Sequence, residues 1–164
     1  MTTTRIRPVT PADLPHIHRL VRGLAEYERM LDRFTVTEPG LERLLFGPRP
    51  FASAALAEAG GAPAGIAIWY YTVGTFSGRP GLFLEDLFVE PAHRGRGLGL
   101  ALFRHLVAVA REQDCATIEW RVLTWNQPSI DFYHRLGANK LSDWHTMELR
   151  GDALAALAQG ASNG

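Results

Sequence analysis

Two adjacent carboxylates, Glu85 and Asp86, interrupt the apolar run "LFLEDLFV", and a few residues later "HRGRGLGL" crowds Arg94 and Arg96 among Gly95, Gly97 and Gly99. A carboxylate inside an apolar strand is costly unless it is paired or hydrated, so acids placed there suit holding a cation or moving a proton. Neighbours on a regular strand point to opposite sides, so only one of the two is expected to serve a given pocket directly. The glycine segment follows a strand and opens a helix. Such a turn presents unpaired backbone N–H groups at the positive end of the helix dipole, which is a site for an anion, phosphate above all.

Three forms of this device can be compared with the residues. The phosphate loop of nucleotide hydrolases requires G-x-x-x-x-G-K-[ST], which the chain lacks. The dinucleotide fingerprint G-x-G-x-x-G starts at Gly95 and Gly97, but its third glycine falls on Leu100, and the strand before it lies mid-chain. The pattern R/Q-x-x-G-x-G/A is met by Arg94, Gly97 and Gly99. Joined to "LEDLFVEP" before it and "WNQPSIDFYHRLGA" after it, this resembles the pyrophosphate-binding motif of the GNAT superfamily of acetyl-CoA-dependent N-acetyltransferases. With "IRPVTPADLPHIHRLVRGLAEYERM" added, the chain resembles the spermidine/spermine and thialysine N-acetyltransferase group from about Ile6 to Leu157.

The resemblance implies acetyl-CoA as acetyl donor, lying in a splay between the strands Leu82 to Val89 and Thr117 to Leu123. It implies that pantetheine pairs with the backbone of Leu87, Phe88 and Val89. The pyrophosphate would be wrapped by Arg94, Gly95, Arg96, Gly97, Leu98, Gly99 and Leu100, and Asn126 matches a cofactor-contacting asparagine. Tyr133 matches the tyrosine near the acetyl-CoA sulfur, a candidate acid for the departing thiolate; by position alone it equally suits a core tyrosine beside Phe132.

Acyl transfer to nitrogen needs a neutral amine, and for a lysine-like amine of pKa near 10.4 deprotonation at pH 7 costs about 4.6 kcal/mol. Glu85 is the favoured general base, directly or through water, with Asp86 helping to bind a cationic acceptor; the alternative makes one of them a structural partner for an arginine such as Arg121. The "YE" pair Tyr27 and Glu28 is implied at the amine site, and Glu119, Trp120 and Arg121 are added as acceptor-side candidates. Trp120, with Trp125 and Trp144, also suits core or interface packing. Polyamine enzymes of the group carry an acid where this chain has Thr75, and a pair of acids after the last long helix, where the shorter "KLSDWHTMEL" has Asp143 and its other acid, Glu148, falls in the expected last strand. Fewer carboxylates suit fewer ammonium groups, which points toward thialysine, a lysine analogue or a short diamine.

These residues require elements to hold them. Thr10 as N-cap and Pro11 predict a helix whose buried face carries Leu14, Ile17, Val21 and Leu24, with Glu26, Glu28 and Arg29 on or beside the exposed side. A second helix is expected over Glu38 to Leu45, and "FASAALAEA" and "APAGIAIWYYTV" predict a hairpin around Gly60 and Gly61. After the Leu82 to Val89 strand come a long helix from Leu98, the strand "TIEWRVLT", a helix capped by Asn126 that runs to about Leu136, a last strand "HTMEL" and a helix from Asp152 to Ala158. The expected fold class is α/β (α+β). The resemblance implies one mixed, mostly antiparallel sheet, splayed between its fourth and fifth strands and flanked by helices. One domain over residues 1–159 and a flexible tail over 160–164 are expected.

Seventeen basic and seventeen acidic residues leave no global positive field, so nucleic acid is an unlikely partner on composition. No apolar run approaches a membrane span, and the N-terminus lacks a signal-peptide pattern. A single cysteine, Cys115, makes no internal disulfide and has no nucleophile's partner in the sequence. A cytoplasmic enzyme is expected, and His16 and His18, two apart on a helix, do not suggest metal. The resemblance implies a homodimer. The rival functions are a GNAT enzyme for another amine (an amino acid, an aminoglycoside or a protein lysine) and a non-catalytic acetyl-CoA sensor.

Overall fold

A computed structural model describes residues 4–160, so most of the expected tail, residues 161–164, lies outside the described residues. The chain forms two compact units that divide between Leu123 and Thr124.

In the first unit, Thr10 and Pro11 start a single 3-10 turn, Pro11–Asp13, ahead of helix α1, Leu14–Tyr27. Asp13 folds back on that start: its Oδ2 accepts from the Thr10 N–H at 2.8 Å and from the Thr10 hydroxyl at 2.9 Å. Arg7, on strand β1 (Thr4–Pro8), donates to both Asp13 oxygens at 2.8 Å and to Glu58 Oε1 at 2.6 Å. The guanidinium holds the Asp13 carboxyl well below the usual carboxylate range although Asp13 is buried. One cation thus ties the first strand to the helix start and to β2, Ser53–Ala59. Helix α2, Glu38–Phe46, begins where the Thr37 hydroxyl accepts from the Gly40 N–H.

Strands β1, β2, β3 (Ala62–Gly74) and β4 (Arg79–Val89) pair antiparallel in chain order. The β2–β3 turn holds Gly60 and Gly61 at φ of +63° and +83°, a conformation that side chains with a Cβ resist. Helix α3, Leu98–Glu112, carries the chain back to β5, Ile118–Trp120, which pairs parallel to β4. The mixed, mostly antiparallel sheet that the resemblance implied is therefore present, with five strands among the described residues.

Alternation along the strands separates two cores. Ile17 and Leu20 of α1 and Leu41 and Leu45 of α2 pack with Ala54, Leu56, Ile66, Ile68 and Phe88 on one face. On the other face lie Leu82 and Leu84, Trp69 against His105 of α3, and Trp120 edge-on to Phe103 of α3. Gly23 has a packing reason: a Cβ there would come within 2.9 Å of the Phe88 ring, so glycine lets α1 settle onto β4.

Two strand expectations fail. "TIEWRVLT" was expected to pair over eight residues, but only Ile118–Trp120 do, and their pairing with β4 ends at Leu84, where the register of β4 against β3 shifts. "HTMEL" alternates as a strand should, yet residues 145–149 form none among the described residues, since alternation supplies a preference and a ladder also needs a neighbour. The second unit contains α4, Gln127–Arg135, whose start is capped by Asn126 Oδ1 accepting from the Ser129 N–H at 3.4 Å, and α5, Gly151–Ala158.

Candidate active site

The register of β3 against β4 shifts in mid-strand. Ile68 faces Asp86 and Trp69 faces Leu84, which leaves Glu85 as an extra residue with no partner opposite it. A bulge of this kind breaks the alternation, bends the strand and re-aims a side chain. Phe88, Asp86 and Phe83 lie opposite Ile66, Ile68 and Tyr70, all on the α1 face. Glu85 joins them: Arg121 Nη2 stands 3.5 Å from its Oε2, and the same guanidinium lies over the Phe83 ring at 5.5 Å. The expectation that Glu85 and Asp86 face opposite sides is thus overturned, and the physical reason is the bulge.

Glu28 belongs to the same group. It follows the last residue of α1 and is half-buried, beside the exposed side of that helix. Burial raises its carboxyl, and the charge of Glu85 raises it further. Asp86 is pushed up to about 7, mainly by burial and then by Glu85 and Glu28. Tyr70 is raised by burial and by Glu85, against a smaller opposing effect of Arg121. Three carboxyls therefore share one patch with Arg121, and an arriving ammonium would relieve their mutual repulsion. The Phe83 ring under Arg121 stacks on Tyr70 at 5.1 Å between centroids. Neither aromatic is singled out by the sequence, because their pairing depends on register.

The bulge also marks where the sheet opens. The last β4–β5 pair is Leu84 with Trp120, and Glu85 to Val89 run on without β5 beside them. The Glu90 N–H donates back to Ala64 O of β3, so alternation turns the backbone groups of Leu87 and Val89 toward the open side. Phe88 is different. Its position opposite Ile66 turns its backbone toward β3, and its side chain is core, 5 % exposed, which separates it from Leu87 and Val89 among the expected pantetheine contacts.

Beyond β4, the turn Pro91–His93 leads into the glycine loop. Gly95 and Gly97 have φ of +71° and +83°, and a Cβ at either would meet nothing within 4 Å. Their requirement is conformational, and the space beside them is open. Helix α3 starts at Leu98 with no side chain capping it, so the N–H groups of Leu98, Gly99 and Leu100 point out of its first turn. Uncapped donors beside open space fit a pyrophosphate. Arg96 is exposed at this loop. Arg94 is engaged otherwise: its Nε donates to Val89 O at 2.9 Å, and its guanidinium lies 4.6 Å over the Tyr27 ring. Tyr27 is thereby joined to the loop by Arg94, while its neighbour Glu28 joins the acids.

Thr75 sits in the β3–β4 turn, and the six steps along the strand from Arg79 to Glu85 span about 20 Å, so within one chain Thr75 does not approach the acids. Trp120 lies on the α3 face against Phe103, opposite the acid patch. Glu119 is on the patch side, its Oε1 accepting from the Thr117 hydroxyl at 3.2 Å. In the second unit, Asn126 caps α4, and Tyr133 stands on α4 with its ring 5.4 Å from that of Phe132. Burial raises the Cys115 thiol, the reverse of what a nucleophile needs. Among the described residues no group of three His, Cys, Asp or Glu side chains is arranged to hold a metal, and no helix is long and apolar enough to cross a membrane.

A mixed sheet that opens beside a glycine-led helix start, with acids at the opening, is the arrangement that the resemblance to the acetyltransferases implied. The profile of the acetyltransferase (GNAT) family matches residues 19–138, and the chain belongs to that family as an acetyl-CoA-dependent N-acetyltransferase. It is 33 % identical to the thialysine N-epsilon-acetyltransferase of Sus scrofa, over 96 % of this chain and 99 % of that protein. It is 28 % identical to the L-ornithine N5-acetyltransferase NATA1 of Arabidopsis thaliana, over 94 % of this chain and 87 % of that one. An integron cassette protein from the mobile metagenome of V. cholerae shares the fold, with a TM-score of 0.81 at 22 % identity over 95 % of this chain and 98 % of the other.

Proposed function

We propose that this enzyme acetylates the primary amine of a small cationic acceptor, a thialysine- or lysine-like amine or a short di- or polyamine, by direct attack in a ternary complex. The observation that carries this reading is the meeting of Glu85 and Asp86, turned to one face by the β4 bulge, with Glu28 from the end of α1. The similarity to acetyltransferases named for thialysine and ornithine supports it.

Acetyl-CoA supplies the acetyl thioester. The first-turn N–H groups of α3, with Gly95, Gly97 and Arg96, hold its pyrophosphate, and the open backbone of Leu87 and Val89 carries pantetheine. Asn126 adds a further contact to the cofactor. Arg94 supports this loop by tying Val89 to Tyr27. Asp86 and Glu28 hold the ammonium of the acceptor. Glu85 takes the first proton, directly or through a water, and the freed amine attacks the thioester carbonyl. As the C–S bond breaks, the Tyr133 hydroxyl protonates the sulfur and the nitrogen's second proton restores that hydroxyl, so one amide, one thiol and the proton that Glu85 releases to water balance the step. The ionised form of Asp86 binds a cation best, so kcat/KM should rise with pH through about 7.

The two units are read as one acetyltransferase domain, because the family match over residues 19–138 crosses their boundary. A cytoplasmic homodimer completes the reading. Its test is acetyl-CoA consumption with thialysine, lysine, diamines, spermidine, spermine and an N-terminal peptide. Thialysine, a lysine-like amine or a short diamine should be the best acceptor. The peptide as best acceptor overturns the reading, spermidine or spermine as best acceptor overturns the preference for acceptors with fewer ammonium groups, and tight CoA binding with no acceptor at all makes the protein a sensor. Tyr133→Phe should lower turnover sharply while leaving CoA affinity unchanged; full turnover removes Tyr133 from the mechanism.

A further inference from the structure

Arg121 is out of place in a site built only for amines. The acid patch attracts cations, and a guanidinium within it repels them. Its position has a structural cause. Trp120 is the last paired residue of β5 and turns to the α3 face, so Arg121 emerges on the acid side where β5 leaves β4. There it lies over Phe83, itself stacked on Tyr70, and this aromatic support orients the guanidinium plane while leaving its N–H edge available. Its ion pair with Glu85 is long, at 3.5 Å, and open to water, the two side chains being 61 % and 44 % exposed. A pair of this kind exchanges readily for a better-placed carboxylate, and a planar guanidinium matches a carboxylate edge with two parallel hydrogen bonds.

We propose that Arg121 is the receptor for a carboxylate borne by the acceptor itself, so that the preferred substrates are amino acids with a second, side-chain amine rather than simple diamines. This rests on the amine-acetylating reading above and refines it. The incoming carboxylate takes Glu85's place on Arg121 while Asp86 and Glu28 hold the ammonium at the other end. Glu85, released from its ion pair, becomes free to accept the proton of the amine. The carboxylate therefore contributes twice: it anchors the acceptor, which lowers KM, and it releases the base, which raises kcat. A diamine gains neither effect, and Glu85 stays bound to Arg121 while it reacts.

The test compares thialysine with its decarboxylated counterpart, bis(2-aminoethyl) sulfide, on the wild-type enzyme and on Arg121→Gln and Arg121→Lys. The wild type should favour thialysine at least ~10-fold in kcat/KM. Arg121→Gln should lower thialysine kcat/KM roughly 10- to 100-fold through KM and, because it also frees Glu85, should leave thialysine kcat unlowered and raise the kcat of the diamine by up to about 3-fold. Arg121→Lys should restore part of the loss in KM but keep the defect in orientation. Equal losses for both acceptors would make Arg121 a structural residue and overturn the proposal, as would unchanged thialysine kinetics in Arg121→Gln. Thermal unfolding of each variant separates a folding defect from a binding one. If the wild type acetylates neither compound, the amine reading falls and this proposal with it; if it acetylates both equally well, only the carboxylate receptor falls.

Discussion

Asp86→Asn isolates the electrostatic cost of gathering acids on one face. Asp86 titrates near 7 in the folded chain, and an unfolded aspartate titrates near 3.9, so the native state binds the extra proton across that interval. A folded value raised above the unfolded one means that stability is fully present below about pH 4, falls as pH rises through the interval and stays reduced above about 7. The full interval corresponds to about 4 kcal/mol, and water reaching a partly exposed carboxyl brings this to about 2 kcal/mol. Asparagine resembles the protonated carboxyl in shape and charge. The variant should therefore unfold with the wild type at pH 4.5 and outlast it at pH 8 by about 2 kcal/mol, or roughly 4–8 °C in Tm. Urea titrations at half-unit pH steps measure the difference directly. At pH 8 the more stable variant should also bind cationic acceptors less well. A stability difference that does not change between pH 4.5 and 8, or a variant weaker than the wild type at pH 8, would refute the argument that burial and two neighbouring acids hold this proton.

Gly23→Ala gains up to about 1 kcal/mol of helix propensity but forces a Cβ to within 2.9 Å of the buried Phe88 ring, a cost of about 1–3 kcal/mol, so net destabilisation near 1 kcal/mol should appear in urea unfolding. Arg7→Met leaves Asp13 and Glu58 without their cation and should cost about 3 kcal/mol at pH 7; because the Asp13 carboxyl is depressed in the folded chain, that deficit should shrink as pH falls below about 4, which acid titration of both proteins checks. Gly97→Val forces a β-branched side chain to φ near +83° at the start of α3 and should weaken CoA binding at least ~10-fold by calorimetry, with little effect on amine KM; unchanged CoA affinity would remove the loop from the cofactor site.

Local chemistry made much of the protein legible in its sequence. Pro11 and Thr10 start the first helix, Asn126 caps the fourth, and glycines at Gly60, Gly61, Gly95 and Gly97 mark turns that need positive φ, because each signal acts over a few neighbouring residues. The glycine loop and the acid pair likewise stand out as residue types at fixed spacing. Placement across strands was not legible. The bulge at Glu85 depends on how β3 and β4 settle their register, and it reverses the face of one acid relative to the other. The same register brings Tyr70 under Phe83, puts Trp120 on the far side from Arg121, and carries Arg94 to Val89 and Tyr27. Sequence alone determined which groups this protein has for holding an anion and a proton. Tertiary structure decided which of them meet, because side-chain direction on a sheet follows pairing between segments far apart in the chain.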